Sequence, residues 1–404
     1  MYFCRVFVRV GNMRILLANL TKMVNDTGGL SKVTIAFANE MQRRGHTVNF
    51  VYQDIQIGGF YYSLNENVGA YDLCHYDGKN ISMPLWYKMK REILRTFNKR
   101  KARGVNDEFT KNYLLGNLKS VLVHTDPEVI VSFQPAASKA LLIDLKTDVP
   151  VITMSHGDPE DYFYSYPFEE VEAVAKSTVN QVLLPSFEAH IKARLPQAKV
   201  VVIGNAIPQY AEQVDLTKSR FRRKIVFVAR LNRGKQPHLL IKAFAALASK
   251  YPEWDLELWG QEDRKLYRKE LDMLVSKMDL TSRVYFKGIT TDVPSVLLQA
   301  DIFAFPSAGE GFGLSLGEAM SIGLPAIGYK SCTGVNELIV NGETGFLCND
   351  GVEPLTQALE KLMSNQELRM RMGRAGRERM KQFSPETIWN QWENLLKSLV
   401  KEES

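Results

Sequence analysis

Short apolar runs alternate with amphipathic segments along most of the chain. The first run is RILLAN at 14–19, followed by a polar loop with two adjacent glycines and then by LSKVTIAFANEMQRRG, whose apolar residues recur at helical spacing. Apolar runs separated by helical segments are typical of parallel strands joined by crossover helices. The other runs before residue 205 are HTVNFVY (46–52), EVIVSF (128–133), PVITMS (150–155), QVLLPS (181–186) and KVVVIG (199–204).

The alternation stops around residues 205–223, where the sequence becomes polar and charged, and it then restarts. We therefore predict an α/β protein with two doubly wound, Rossmann-like domains, 13–207 and 208–383, that face each other across a cleft. Residues 384–404 are predicted to form a helix that packs back toward the N-terminal domain. The runs of the second domain are KIVFVAR (224–230), LELWG (256–260), RVYFKG (283–288), DIFAFPS (301–307), PAIGY (325–329) and GFLC (345–348).

Composition adds few constraints. The 404 residues are 45% hydrophobic and 24% charged, with a formal charge of +6, which is the usual mix for a globular protein. Four scattered cysteines argue against a disulfide framework or a zinc site and fit a reducing cytoplasm. No uncharged apolar run reaches the ~18–20 residues that span a bilayer. Residues 1–12 lack the apolar core of a signal peptide, and we interpret them as an over-called start or a loose extension.

The segment SAGEGFGLSLGEAM (307–320) carries two glutamates, Glu310 and Glu318, with seven residues between them. It follows a predicted strand and precedes a helix predicted from about 316 to 322, so free backbone amides and the helix dipole form an anion site. A carboxylate beside it suits a pair of sugar hydroxyls. Alternatively, Glu318 closes a capping box with Ser315, and Glu310 is a solvated loop acid.

Cationic residues follow the first strand of the second domain. Arg230 and Lys235 are candidates to neutralise a diphosphate, with Arg233 as a rival in the same loop and surface solubility as the alternative for each. The chain has no P-loop motif and no dinucleotide fingerprint at its first strand. It also lacks the D-x-D pair of metal-dependent sugar-nucleotide enzymes, so we predict neither a metal nor another cofactor.

Three segments together resemble family-4 retaining glycosyltransferases of the GT-B fold: VARLNRGKQPHLLIKAF, GEGFGLSLGEAMSIGLPAIGY and TGVNELIVNGETGFL. The resemblance runs from about 13 to 383 and is most specific from 225 to 347. It implies that the first domain binds the acceptor and the second binds a nucleotide-sugar donor. The UDP-sugar 2-epimerases share this architecture and are the alternative; an epimerase would act on the nucleotide sugar without an acceptor.

The resemblance also implies roles for individual side chains. Arg230 and Lys235 match the pair on the donor diphosphate. Glu310 matches the glutamate beside the transferred sugar, and Glu318 matches the one that bonds the ribose hydroxyls. His156 matches the histidine near the reacting sugar, although a lone histidine after a strand is often simply a hydrogen-bonded polar residue.

Backbone positions complete the implied donor site. The chain departs from the family pattern at Gln236, where a glycine is usual, and at Gln261, where a second glycine is frequent. These departures put details of nucleotide contact in doubt. The implied positions are the loop amides of Gly311, Phe312, Gly313 and Leu314, the first-domain loop at Gly28 and Gly29, and Gly260.

The implied reaction transfers a sugar, as a UDP-sugar, with retention to a saccharide or lipid-linked acceptor of a bacterial surface polysaccharide or lipopolysaccharide. We expect Glu310 to orient the sugar rather than to act as nucleophile, with the acceptor attacking on the face from which the diphosphate departs. Residues 84–104 hold eight Lys or Arg and one Glu, with apolar residues at helical spacing. We interpret them as an amphipathic helix that docks at the inner face of the plasma membrane, or alternatively packs on the core; no nucleic-acid motif accompanies it.

Overall fold

The computed structural model describes residues 11–218, 220–263 and 265–400. It divides the chain into two compact units. The first unit comprises 1–203 and 389–404, and the second comprises 204–388. Residues 1–10, which contain most of the segment interpreted as an extension, lie outside the described part of the chain. Within the described part, no helix is long and apolar enough to cross a bilayer.

The first unit is built on a seven-stranded sheet in which every described strand pair is parallel. The strand order is β3-β2-β1-β4-β5-β6-β7, so the order reverses between β1 and β4. Ile15 pairs with Val48 on one side and with Val129 on the other. The strands are β1 (Arg14–Asn19), β2 (Thr47–Tyr52), β3 (Gly69–Asp72), β4 (Val129–Ser132), β5 (Val151–Met154), β6 (Val179–Val182) and β7 (Val200–Val202).

Helices connect the successive strands of this sheet except β2 and β3, which are joined by an irregular loop, and π-helical turns at 110–114 and 140–144 extend two of the helices. The central strands β4, β5 and β6 are buried along their whole length, which explains their continuous apolar or neutral character. The helices are α1 (Gly29–Arg43), α2 (Leu85–Phe97), α3 (Lys99–Phe109), α4 (Leu115–Thr125), α5 (Pro135–Lys139), α6 (Glu160–Ser165), α7 (Phe168–Lys176) and α8 (Pro185–Arg194).

The second unit repeats the pattern with a six-stranded parallel sheet in the order β10-β9-β8-β11-β12-β13. The strand order reverses between β8 and β11, which are hydrogen-bonded neighbours. In open α/β sheets this is the place where ligands bind. The strands are β8 (Arg223–Val228), β9 (Trp254–Trp259), β10 (Val284–Gly288), β11 (Ile302–Phe305), β12 (Ala326–Tyr329) and β13 (Gly345–Cys348).

The second unit contains seven described helices, and an eighth begins in it and continues into the first unit. In the last helix, Trp389 and Trp392 pack edge-on against Phe37 of α1, with ring centroids 5.5 and 4.9 Å away. The helices are α9 (Pro237–Ala248), α10 (Lys265–Lys277), α11 (Val293–Leu298), α12 (Leu314–Ser321), α13 (Val335–Leu338), α14 (Val352–Ser364), α15 (Gln366–Met380) and α16 (Pro385–Leu399).

The predicted class, two parallel α/β sheets, is confirmed. The prediction that 84–104 forms a single helix is wrong. It is two helices, because Asn98 leaves the helical region at φ −152° and its side chain accepts a hydrogen bond from the Lys101 amide. The apolar stripe of α2 packs on the core only in part: Leu94 contacts the core that contains Tyr87, whereas Trp86 and Phe97 are 53% and 86% exposed.

Candidate functional site

Two loops meet at the carboxyl edge of the second sheet, where β8 and β11 lie side by side. The amide of Ala308, after β11, donates a hydrogen bond to the carbonyl of Gly234, after β8, at 2.8 Å. The hydroxyl of Ser307, which is fully buried, donates to the carbonyl of Gly309 at 3.2 Å. Because parallel neighbours end at the same edge, residues 75 positions apart are held against each other here.

Lys235 and Glu310 form an ion pair at this junction. The ammonium group donates directly to Glu310 Oε1, and the side chains are 20% and 10% exposed. Asn232 fixes the lysine's backbone by accepting a hydrogen bond from its amide at 2.9 Å, and Lys235 Nζ lies 5.6 Å from the centroid of the Phe305 ring. The structure therefore brings together a cation and a carboxylate that the sequence assigned to different parts of one donor.

The other two cations of the β8–α9 loop differ from each other. β8 ends at Val228, so Arg230 lies in the loop rather than at the strand end, and its side chain is exposed. Arg233 is bound elsewhere: it pairs with Glu270 at 2.5 Å and lies over the Tyr267 ring, both on α10. Of the two arginines, Arg230 is the one for which the described residues offer no ion pair.

Helix α12 begins two residues earlier than predicted. Its N-cap is Gly313, at φ +85°, and no side chain caps it. The alternative of a capping box between Ser315 and Glu318 is therefore wrong. Ser315 is the second residue of the helix rather than its N-cap, and Glu318 is the fifth, one turn after the helix start. The amides at the start of α12 have no hydrogen-bond partner among the described residues, as an anion site requires. Phe312 contributes only its amide, because its side chain is buried against Phe383.

Glu318 lies in surroundings different from those of Glu310. Its residue surface is 3% exposed. The pKa of the Tyr210 hydroxyl is raised, first by burial and then by the negative charge of Glu318, so the two side chains are neighbours. Sequence analysis missed Tyr210, which follows the domain boundary in an irregular segment and belongs to no motif.

Gly334 is a second residue whose role the sequence did not reveal, although it lies in the quoted segment TGVNEL. It adopts φ +85°, and a Cβ there would lie 3.0 Å from the carbonyl oxygen of Glu310 and 3.2 Å from the amide of Phe312. Cys332 is close by, since burial and the charge of Glu310 raise the pKa of its thiol to about 12. The segment that follows β12 therefore packs against the glutamate loop, by which we mean the loop that carries Glu310.

One departure from the family pattern, Gln236, and one implied donor-site position, Gly260, both adopt a positive φ. Gln236 is the N-cap of α9 and adopts a left-handed backbone at φ +52°, which explains why a glycine would suit this position. Gly260 itself adopts φ +143°, and a Cβ there would lie 1.9 Å from the carbonyl oxygen of Ala229. Close approach of the β8 and β9 ends thus requires a glycine at 260, whether or not it also contacts a nucleotide.

The first unit contains the remaining predicted residues. Gly28 is the N-cap of α1 and Gly29 its first residue, so this glycine pair forms the helix start that follows β1. His156 follows β5 and stacks on Phe133, with ring centroids 5.5 Å apart and an interplanar angle of 10°. Burial lowers the pKa of His156 to about 4, and its Nε2 has no partner among the described residues. His156 is thus a neutral imidazole with a free polar atom.

One group of side chains in the described part of the chain has metal-ligand spacing. The ligand atoms of Asp158, Glu160 and His190 lie within 4.8 Å of one another. His190 Nδ1 already hydrogen-bonds Asp158 Oδ1 at 2.6 Å, and Glu160 is exposed. The group includes none of the predicted donor-site residues, and we assign it no role.

Comparison with known proteins finds similar glycosyltransferases. Residues 208–379 match the model of the family "Glycosyl transferases group 1". An uncharacterized glycosyltransferase from Haemophilus influenzae is 24% identical over 92% of this chain and 97% of its own length. The capsular polysaccharide biosynthesis glycosyltransferase CapM from Staphylococcus aureus is 31% identical, over 44% of this chain and 47% of CapM.

The chain also shares its fold with glycosyltransferases of known structure. S. aureus TarM, solved as a variant in complex with fondaparinux, alpha-GlcNAc-glycerol and UDP, superposes with a TM-score of 0.75 at 15% identity, covering 95% of this chain and 100% of TarM. The fold is therefore the two-domain GT-B architecture, and residues 208–379 are similar to group 1 glycosyltransferases. These relatives are transferases and lend no support to the epimerase alternative.

Proposed function

We propose that this enzyme transfers a sugar from a UDP-sugar, with retention of configuration and without a metal ion, to a saccharide acceptor of a bacterial surface polysaccharide. The observation that carries the proposal is the Lys235–Glu310 pair at the edge between β8 and β11, beside the uncapped start of α12. UDP in the TarM complex and the capsular role in the name of CapM support the choice of donor and product class.

The charges of the site suit departure of a nucleoside diphosphate. As the bond from the anomeric carbon to the diphosphate breaks, negative charge develops on the leaving phosphate. Lys235, the exposed Arg230 and the amides at the start of α12 stabilise that charge in place of a metal. Glu310 binds a hydroxyl of the transferred sugar, and its pairing with Lys235 holds both groups in position before the reaction. Glu318 binds the ribose.

In the acceptor step, the acceptor hydroxyl attacks the anomeric carbon on the face from which the diphosphate departs. The leaving phosphate takes the hydroxyl proton, so no protein base is needed. His156 is neutral at physiological pH and donates or accepts a hydrogen bond near the sugar, rather than carrying a charge.

Replacement of Glu310 by Gln tests this proposal. The amide can still accept a hydrogen bond from Lys235, so we expect an unchanged melting temperature, while loss of the carboxylate lowers kcat by about 10²–10³. Glu343→Gln, an exposed glutamate in a loop of the same unit, is the matched control. Turnover of the Glu310 variant close to that of the wild type would refute the assignment.

The donor, the anomeric outcome and the metal independence each have a direct measurement. Thermal shift with UDP-, GDP- and ADP-sugars identifies the nucleotide, and stabilisation by UDP-sugars alone is expected. NMR of the product gives the configuration of the new linkage. Transfer that persists in EDTA agrees with a metal-free site, and restoration by Mg²⁺ after loss in EDTA contradicts it.

We also propose that the enzyme docks on an anionic membrane through α2, where a lipid-linked acceptor would be presented. Five apolar side chains of this helix are exposed, and eight cationic residues lie within 84–104. Four of them form no described ion pair: Lys88, Lys99, Arg100 and Lys101. The exposed apolar side chains are Leu85 (72%), Trp86 (53%), Met89 (57%), Ile93 (60%) and Phe97 (86%).

Vesicle co-sedimentation tests the docking surface. We expect binding to phosphatidylglycerol vesicles but not to phosphatidylcholine vesicles. Trp86→Ser combined with Ile93→Ser should abolish binding without lowering stability, because both side chains are exposed. Phe221→Ser, another exposed aromatic residue, is the control. If the double variant binds as the wild type does, α2 is not the docking surface.

A further inference from the structure

Helix α15 packs directly against α12, the helix that carries Glu318. A Cβ at Gly373 of α15 would lie 2.0 Å from the carbonyl oxygen of Gly323, which follows α12, so this approach requires a glycine. A Cβ at Gly376 would lie 3.7 Å from the side chain of Met320, within α12. Because the two helices are this close, an arginine of α15 can reach the backbone at the end of α12.

The guanidinium of Arg377 joins the end of α12 to the segment that contains Tyr210. Its Nη1 donates to the carbonyls of Ser321 and Glu212, both at 3.2 Å, and its Nη2 donates to the carbonyl of Tyr210 at 2.7 Å. Ser321 is the last residue of α12, three residues after Glu318. Arg377 therefore fixes both the helical turn that bears Glu318 and the backbone of the tyrosine beside that carboxylate.

The end of α12 needs such a donor. The last carbonyls of a helix have no intrahelical partner and lie at the negative end of the helix dipole, so a cationic donor stabilises them. In a continued helix the amide of residue 325 would donate to the carbonyl of Ser321, but Pro325 has no N–H. The rigid fork of an arginine can serve several acceptors at once, which a lysine cannot do with the same geometry.

Arg379, two residues further along α15, reaches the segment that packs against the glutamate loop. Residues two apart in a helix point ~200° away from each other, so the two arginines contact different segments. Arg379 Nε donates to the carbonyl of Leu338 and its Nη2 to that of Glu337, both at 2.7 Å. Leu338 ends α13, which begins directly after Gly334. Leu338 also lies near the start of α12, since a Cβ at Gly313 would be 3.8 Å from its Cδ1.

We propose that Arg377 and Arg379 are positioning residues that hold the two glutamates of the candidate donor site independently of each other. The inference rests on the proposed function and deepens it. Arg377 controls binding of the ribose, because it fixes Glu318 and its neighbour. Arg379 controls transfer of the sugar, because it holds α13 and Gly334 against the glutamate loop. Neither arginine takes part in bond breaking.

Replacement of each arginine by Met removes its donors and keeps most of the side-chain length. We expect Arg377→Met to raise the donor KM about tenfold and to change kcat less than about twofold, since lost uniform binding appears in KM. Arg379→Met should lower kcat about tenfold at a nearly unchanged donor KM, because groups beside the reacting sugar are misplaced. Arg374→Met on the same helix is the matched control, since Arg374 is exposed and its Nε donates within α15, to the carbonyl of Met370.

Double-mutant cycles test whether each arginine acts through its glutamate. Calorimetry with UDP should show Arg377→Met weakening binding about tenfold in the wild-type background and much less in Glu318→Gln, because residues that act together are not additive. Arg379→Met should likewise lower kcat much less in Glu310→Gln, with kcat followed as UDP release from the UDP-sugar that shifts the wild-type melting temperature most. Additive effects in both cycles would overturn the inference.

The outcomes separate positioning from a general loss of structure. If both arginines only stabilise the fold, the two Met variants will change KM and kcat in the same ratio, and the inference is wrong. Arg377→Lys, which keeps the charge and part of the donor set, should recover part of the KM effect. If a Met variant does not fold, the Lys variants of 377 and 379 are compared with Arg374→Lys, and the same KM and kcat for all three would contradict the inference.

Failure of the proposed function has a different signature. If UDP and the UDP-, GDP- and ADP-sugars all leave the wild-type melting temperature unshifted, the donor site is wrongly assigned, and the positioning roles are wrong with it. If the wild type binds UDP and transfers sugar, but Arg377→Met and Arg379→Met behave as Arg374→Met does, only the positioning roles are wrong.

Discussion

Gly334 gives a direct way to test whether the loop carrying Glu310 controls catalysis. Its backbone adopts φ +85°, and a Cβ would lie 3.0 Å from the Glu310 carbonyl oxygen and 3.1 Å from the Glu310 Cβ. Gly334→Ala therefore has two effects. It forces a side chain into a backbone region that costs on the order of 1–3 kcal/mol, and it pushes the glutamate loop by a few tenths of an ångström.

Gly342→Ala separates the two effects. Gly342 has a similar φ of +82° in the same unit, but a Cβ there would have no atom within 4 Å. Both variants should lose roughly 1–3 kcal/mol of stability, and ~2–4 °C of melting temperature for each kcal/mol in a unit of this size. A misplacement of about 1 Å near the reacting atoms costs about 10² in rate, so a smaller shift at Glu310 should cost roughly tenfold in kcat.

The assay measures kcat and the donor KM of both variants at a temperature at which both are fully folded. We expect Gly334→Ala to lose roughly tenfold in kcat relative to Gly342→Ala, and to melt no higher than Gly342→Ala because of its added contact with the Glu310 loop. Equal kcat values in the two variants would refute the reasoning, because contact with the glutamate loop would then have no consequence beyond strain. Full activity of Gly334→Ala together with a lowered melting temperature would also refute the reasoning.

Two further predictions concern stability. Gly260→Ala should be strongly destabilised, because its Cβ would overlap the Ala229 carbonyl; a melting temperature near that of the wild type would show that the β8 and β9 ends can separate. His156 has a pKa of about 4 in the folded chain and about 6.5 when unfolded, so the unfolded state takes up the proton first and stability falls as the pH drops from 6.5 to 4. In urea unfolding at pH 7.5 and 5.0, His156→Asn should lose less stability than the wild type, and an equal loss would contradict the burial of this imidazole.

The second-unit site was accessible from sequence because its residues follow directly on apolar strands. Glu310 and Lys235 were each placed after a strand, and parallel strands that are neighbours bring their ends together. What the pattern could not supply was the order of the strands, and hence the direct contact between the two side chains. The start of α12 was misplaced because Ser315 offers a capping side chain, whereas the glycine at 313 supplies the backbone turn instead.

The contacts of α15 were not accessible in the same way. Arg377 and Arg379 lie in an arginine-rich helix and match no motif, so only tertiary packing shows which carbonyls they bind. Each alone resembles an ordinary helix-surface cation. The break at Asn98 was hidden by the continuous helical spacing of 84–104, because the capping bond to Lys101 depends on one backbone turn.

The two glutamates of the E-x7-E segment have different surroundings, because the glycine turn at 313 lies between them. Glu310 precedes the helix and pairs with Lys235, whereas Glu318 lies within it, almost fully buried and beside Tyr210. A general acid and base must reach the same bond from two sides, and two carboxylates with such different neighbours are not arranged for that. In the proposed function they bind two parts of one extended ligand, with the helix start between them available to a phosphate. The spacing of seven residues is thus the length of chain needed for one glycine turn and the first turn of a helix.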